Sequence, residues 1–253
     1  MNDPVLIQED SFQVAWAKAV NALSENQWEL WDLVVRIRDV SAFGEMYNSS
    51  YEKHAQGLGL LTPKQVAYTI CPYDLAHNRS FAEMRHMYIE RFYPKLRKLP
   101  HAGWGTYFHR MVAYPVVDSA GEKSVVDQLG NIIATIAKSN RVCRAAYTME
   151  ISIPGGENTR PLGAPCLNTL AVRQEPMGKT RLISLLAVYR NHDFLERAYG
   201  NYYGLCKLIE LVARETGSKA GSLTCVSSHA FVDKMKTPLK DFISKHDWTT
   251  VDV

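Results

Sequence analysis

Five polar residues in the C-terminal half occur at spacings that could build one reactive site. Cys166 lies in GAPCLNTL, between a proline and an apolar run. Arg190 closes a later strand-like segment, Asp193 and Asn201 follow it eight residues apart, and His229 stands in SLTCVSSHAFV. A cysteine becomes a nucleophile when its thiol ionises. An arginine grips a phosphate with two parallel N–H donors, and its field lowers the pKa of a thiol beside it. An asparagine offers one acceptor and two donors, enough to read one face of a pyrimidine. Each residue alone also has a plainer role: a cysteine in an apolar run packs, and an arginine at a strand end is solvated. A cysteine hydrolase built from Cys166 and His229 is disfavoured. LNTL is an apolar strand start, not the helix N-terminus that ionises such thiols, and papain-like context is absent.

These residues must be held by elements whose signals are local. SFQVAWAKAVNALSE (11–25) has helical spacing with Ser11 as N-cap, and WELWDLVVRIRDV (28–40) has the β-branched look of a strand. The Gly-, Ser- and Asn-rich stretch 41–61 is expected to contain loop, and TPKQVAYTI (62–70) predicts a helix with Thr62 as cap and Pro63 in its first turn. FAEMRHMYIERFYPKLRK (81–98) is helical in pattern as far as Pro94, and HAGWGTYFHRM (101–111) predicts a loop. VVDQLGNIIATIAKSN (125–140) places Leu129, Ile132, Ile133 and Ile136 on one helical face. RAAYTMEISI (144–153) is strand-like. From Cys166, CLNTLAVRQ and RLISLLAVYR form a hairpin across EPMGKT. YYGLCKLIELVARETG (202–217) predicts a buried helix ending at Gly217, and residues 222–232 a final strand. Strands and helices interleave without strict alternation, which argues for an α+β fold.

The chain of 253 residues fits one domain and can bury a substantial core. Its 46% hydrophobic and 22% charged residues are an ordinary globular composition, and a net charge of +3 gives no ground for direct nucleic-acid binding. The five cysteines (Cys71, Cys143, Cys166, Cys206 and Cys225) form no C-x-x-C pair and no zinc-ligand cluster, so no metal is expected. MNDPVLIQED lacks the apolar core of a secretory signal, and no run approaches the ~18 apolar residues of a membrane span. The expectation is a reduced cytoplasmic protein with no membrane association.

The order APC, strand pair, YRNHD, GNYYGLCKLIELVARETG and SHAF resembles the C-terminal half of thymidylate synthases. That family carries Pro-Cys-His, then Gln-Arg-Ser-x-Asp, then an asparagine eight residues on, a buried helix and a His-x-Tyr strand. DQLGNIIATIAKSNRVCRAAYTMEI resembles its helix leading to an arginine-bearing strand, and GTYFHRM is loosely similar to its Gly-Tyr-Gly loop near the nucleotide. The resemblance covers roughly residues 100–232, with gaps. It implies a thymidylate synthase-like mixed sheet packed against helices, a single domain over 1–253, and a homodimer formed through the sheet face. It also implies a chemistry: a thiolate adds to C6 of a pyrimidine nucleotide, and C5 then attacks a one-carbon unit carried by a reduced folate. Cys166 would be the nucleophile, with Asp193 near the folate and base and Tyr107 near the nucleotide. Arg190 would hold the phosphate, Asn201 the pyrimidine edge, and His229 would face the ribose. Arg141 or Arg144 matches the arginine sent into the partner subunit's phosphate site. The implied carbon donor is 5,10-methylenetetrahydrofolate. An amide at position 201 favours a dUMP-like substrate, since cytosine-specific relatives carry an aspartate there.

Several positions depart from the pattern. Leu167 follows the cysteine in place of histidine, and Tyr189 and Asn191 flank Arg190. Phe231 lacks the hydroxyl of His-x-Tyr, and a buried partner left unpaired there would cost about 1–3 kcal/mol. Glu83 and Glu90 do not sit in the context of the family's general-base glutamate and read as surface charges beside Arg85 and Arg91. After SHAFV the family continues with a further sheet-forming segment and a C-terminus that closes over the folate. DKMKTPLKDFISKHDWTTVDV predicts a shortened lid and a more open site. Methylation and hydroxymethylation therefore both stay open. So does a catalytically idle homologue that binds a nucleotide or a protein partner.

Overall fold

The computed structural model describes residues 3–98, 103–117, 119–139 and 141–248. His101 and Ala102 of the expected loop, and Asn140 at the end of the expected helix, lie outside them. β1 (Val5–Glu9) leads into α1 (Phe12–Glu25), opened by Ser11, whose hydroxyl accepts the Val14 N–H. β2 (Glu29–Ile37) follows.

The stretch 41–61 holds loop only at its two ends, and α2 (Glu45–Gly57) occupies its middle. Tyr47, Tyr51 and Ala55, four residues apart, form a buried stripe that outweighs the Gly/Ser/Asn composition. α3 (Pro63–Tyr68) begins with a full capping box between Thr62 and Gln65. After a 3₁₀ turn at Tyr73–Ala76, α4 (Phe81–Met87) continues through a π-helical turn (Tyr88–Phe92) into α5 (Tyr93–Leu96). Pro94 thus does not end the helix. The widened turn, in which Tyr93 N–H bonds Tyr88 O, loosens the backbone where a proline would clash with a carbonyl four residues back. The expected loop 101–111 also contains a helix, α6 (Tyr107–Val112), capped by Thr106. A small hairpin, β3 (Tyr114–Val117) and β4 (Lys123–Val126), precedes α7 (Gln128–Lys138), which buries Leu129, Ile132, Ile133 and Ile136 as its spacing required.

The remaining elements are β5 (Tyr147–Glu150), β6 (Leu167–Met177), β7 (Thr180–Tyr189), β8 (His192–Asp193), α8 (Ala198–Glu215), β9 (Lys219–Phe231) and α9 (Lys236–Ser244). Gly217, at φ 61°, follows α8 as the left-handed residue that ends it.

The fold is α+β. The main sheet runs β1-β2-β9-β7-β6-β5, with β8 paired to β9. β1–β2, β7–β9 and β8–β9 are parallel, and β2–β9, β6–β7 and β5–β6 antiparallel, so the sheet is mixed. α1 packs along β1 and β2, and α8 packs across β7 and β9. Alternate strand residues such as Leu33, Val35, Leu185, Ala187, Leu223 and Cys225 are buried, while Val34, Leu186, Val188 and Val226 stay partly exposed. This two-sided pattern is the period-two signature of a sheet with one covered face. No helix among the described residues is long and apolar enough to cross a membrane.

Two irregularities shape the end of the sheet where the polar residues gather. Asp32 adopts φ 55°, and across it the buried positions skip from Leu30 to Leu33, so that Trp31 turns outward and is 62% exposed. The β6–β7 register slips between Leu167, opposite Tyr189, and Thr169, opposite Val188. This slip falls beside Cys166.

Candidate active site

Cys166 sits at the mouth of β6, and its carbonyl is held by the Arg190 N–H at 2.9 Å. The hairpin therefore places cysteine and arginine side by side at the end of neighbouring strands. Burial pushes the Cys166 thiol up, while the guanidiniums of Arg190 and Arg197 pull it down and Asp193 pushes it up again. The resting group is a half-buried thiol under the influence of two cations.

Tyr107 joins the site from α6. Thr106 caps that helix, and the Phe108 N–H is anchored to Thr69 O at 2.8 Å. The Tyr107 hydroxyl oxygen accepts backbone N–H groups of Leu167 and Cys166, and burial keeps the phenol protonated. Trp104 packs 4.9 Å from the Tyr107 ring. Beneath the cysteine, Tyr189 is fully buried and its hydroxyl has no partner among the described residues.

Arg190 gives one Nη1 hydrogen bond to Arg160 O at 2.5 Å, and its buried Nε has no partner among the described residues. An arginine with spare donors beside a thiol is suited to an anionic oxygen. Asp193 uses Oδ1 to hold the turn into α8, accepting the N–H groups of Leu195 and Glu196 at 2.8 Å each. Burial raises its pKa. Oδ2 is left over among the described residues.

Asn201 lies in the first turns of α8, 3% exposed, with Nδ2 at 3.1 Å from Nε2 of His192. The ring of His192 in turn stacks on Tyr189 at 4.0 Å. Asn201 is thus linked to the floor under Cys166 through His192.

His229 occupies the outward side of the same sheet end. Nδ1 meets Asn191 Oδ1 and Nε2 meets Glu29 Oε1, each at 2.7 Å. Its ring lies 4.6 Å from Trp31 and 5.1 Å from Phe231. Its coupling to the site runs through Asn191, the neighbour of Arg190.

Arg141 and Arg144 are not brought to Cys166. Both are exposed, on the link between α7 and β5. Ser139, two residues before Arg141, accepts Arg181 Nη2 through its carbonyl, and Arg181 Nη1 reaches Gln174 near the far end of the hairpin. Two residues that sequence patterns did not single out belong to the assembly, namely Arg197 and His192. Arg197 precedes Asn201 by one helical turn, a spacing that could have marked it. A histidine inside YRNHD carries no signal until strand pairing places it. Among the described residues, no group of three or more His, Cys, Asp or Glu could hold a metal ion.

Fold and site together describe an α+β chain that carries a half-buried cysteine beside two arginines. No protein-family model matches the chain. It is similar to curated archaeal proteins named "Putative thymidylate synthase": 30% identical over 127 residues to that of Methanosarcina barkeri, 32% over 129 to that of Methanosarcina mazei, and 33% over 129 to that of Methanosarcina acetivorans. Each match covers 50% of this chain and 50% of the relative, so the chain spans about half the length of the curated relatives it matches. These likenesses support a divergent thymidylate synthase-like family.

Proposed function

We propose that the chain transfers a one-carbon unit to C5 of a pyrimidine nucleoside monophosphate, dUMP-like in its base, through a covalent bond between Cys166 and C6. The observation that carries this reading is the β6–β7 hairpin that sets Cys166 beside Arg190, whose N–H bonds the Cys166 carbonyl at 2.9 Å, with the Tyr107 hydroxyl on the backbone of Cys166 and Leu167. An incoming phosphate occupies the spare donors of Arg190. Asn201 reads the base edge, and His229 lies toward the sugar. The Cys166 thiolate forms the bond to C6, and the electron pair of the C5–C6 double bond moves to C5 and the adjoining carbonyl. Tyr107 holds the strand start, so that Sγ is positioned before the substrate arrives.

The residues present suit a reduced folate. Trp104 offers a partly exposed aromatic face, and Asp193 offers Oδ2 to ring N–H donors. A bound methylenetetrahydrofolate supplies the one-carbon unit. Arg141 and Arg144 lie on the link into β5, whose first residue Tyr147 pairs with Val172 well along β6 from Cys166, and we assign them to the phosphate site of a second copy docked on the open sheet face.

The test is tritium release from C5-labelled dUMP, with and without methylenetetrahydrofolate. Release that disappears in Cys166→Ala supports the reading, and product mass then separates methyl from hydroxymethyl. A second reading, nucleotide binding without turnover, is favoured by the thiol that burial holds protonated. Retained dUMP binding with no release under any condition would select it.

A further inference from the structure

The His192 ring, 1% exposed, stacks face to face on Tyr189 and is edged by Phe194 and Tyr202. Its Nδ1 lies 2.9 Å from Ser227 Oγ, and its Nε2 lies 3.1 Å from Asn201 Nδ2. An amide nitrogen only donates, so Nε2 is the bare nitrogen and the ring proton sits on Nδ1, given to the Ser227 hydroxyl. Burial pushes the His192 pKa down to about 3, which keeps the ring neutral at physiological pH. The Asn201 backbone is fixed as well, by its N–H bond to Arg197 O at 2.8 Å. With one amide hydrogen given to His192, Asn201 retains one oxygen acceptor and one N–H donor for a ligand.

A freely turning amide does not discriminate between pyrimidines. Uracil presents an N3–H donor beside the O4 acceptor, and cytosine presents an N3 acceptor beside an amino donor. Rotation by half a turn exchanges amide oxygen and nitrogen and matches the other edge. Here that rotation would set the amide oxygen against bare Nε2, acceptor against acceptor, unless the ring proton moved and Ser227 reversed its role. We propose that His192, its proton held on Nδ1 by Ser227, is a positioning residue that locks the Asn201 amide in one orientation and thereby gives the site its choice between uracil-type and cytosine-type bases. This rests on the reading of Asn201 as the group that faces the base.

Two variants of the full chain test the lock. His192→Phe keeps an aromatic ring on Tyr189 and removes both nitrogens, whereas Ser227→Ala leaves ring and amide untouched and removes the acceptor of Nδ1. Calorimetric titration with dUMP and with dCMP reads binding without turnover, and nitrogen NMR of histidine-labelled protein reads the tautomer. Wild type is expected to show the Nδ1–H tautomer and to prefer dUMP by roughly tenfold or more, the scale of one bidentate base contact. Both variants should lose most of that preference, with dUMP affinity falling further than dCMP affinity. An Nε2–H tautomer overturns the lock. So does an equal fall for both nucleotides, which is what a merely structural role produces. If His192→Phe does not fold, Ser227→Ala decides. Wild type that binds neither nucleotide overturns the base-facing role of Asn201, and the lock with it, whereas wild type that binds dUMP with an unmoved ratio in the variants overturns the lock alone.

Discussion

At Cys166 two influences oppose each other: burial disfavours the thiolate, and the guanidiniums of Arg190 and Arg197 favour it. Site-resolved alkylation of the native protein reads that balance. In Arg190→Ala the Cys166 peptide is expected to react more slowly at a given pH, by about tenfold for each unit of pKa that the arginine supplies. An unmoved pH profile would mean that the arginine does not act on the thiol. Two histidines, one buried and one half-buried, set a second, acid-side dependence. His192 and His109 are neutral in the fold, with pKa values pushed down by burial to about 3 and about 4, whereas unfolded histidine takes a proton near 6.5. Their contribution to stability is therefore complete above about pH 6.5 and is lost as pH falls toward the folded values. For fully buried His192 this amounts to roughly a few kcal/mol, at about 1.4 kcal/mol per unit. Urea midpoints between pH 7 and pH 4.5 should fall more gently in His192→Phe than in wild type, and parallel slopes would exclude a neutral buried ring. Cys166, Arg190, Asp193 and Asn201 stood out in the sequence as candidates, through their order and intervals and the resemblance these carry. His192 was not, since its meaning comes from the partners that folding sets against it.

Among the elements, α8 carries Asn201 and depends on a close approach to α3. A Cβ on Gly200 would stand 2.5 Å from the Val66 Cβ and 2.9 Å from Pro63 O, and one on Gly204 would stand 2.8 Å from Ala67 O. Backbone atoms cannot step aside as a flexible side-chain tip can, so the strain must move a helix. Gly204→Ala should gain about 1 kcal/mol of helix propensity and lose more to overpacking, typically 1–3 kcal/mol. The expected net effect is a lowered urea midpoint. Gly200→Ala should in addition weaken dUMP binding, because Gly200 precedes Asn201. A raised midpoint in Gly204→Ala would show that α3 and α8 have room to separate. Helices with strong local signals were readable in advance: the caps at Ser11 and Thr62 and the apolar face of α7 are short-range chemistry. α2 was hidden by its polar composition, α6 by the aromatic and glycine residues that precede it, and the continuation through Pro94 by a π turn whose bonding has no composition signature. These elements form because tertiary burial of residues such as Tyr51 and Phe108 overrides weak propensity.

For the whole molecule, the deciding quantity is the length of the β6–β7 hairpin. Gln174 stands eight residues beyond Cys166, a separation on the order of 25 Å along an extended strand. Through Arg181 and Ser139, the link bearing Arg141 and Arg144 is tethered at that far end. Such a gap exceeds the reach of one side chain, which is why we assign these arginines to a phosphate site on another molecule. The sequence showed the two arginines but not the gap, because strand pairing alone sets which end of the hairpin their link lies against. The open face of the sheet, with Val34, Leu186, Val188 and Val226 partly exposed, is the surface on which a second copy would sit. Sedimentation should then give twice the chain mass, and Val188→Glu should shift it toward the single chain by placing a charge in that face. Mixing variants makes the decisive case. Cys166→Ala lacks the nucleophile, and Arg141→Ala combined with Arg144→Ala lacks the donated cations, so each preparation alone should fail to exchange the C5 hydrogen of dUMP. Unfolded and refolded together, they form hybrids in which one site has its own Cys166 and receives both arginines from the Cys166→Ala subunit. Exchange should return in the mixture. If hybrids form and exchange does not return, the arginines do not cross between subunits, and the phosphate must be held by Arg190 and its neighbours within one chain.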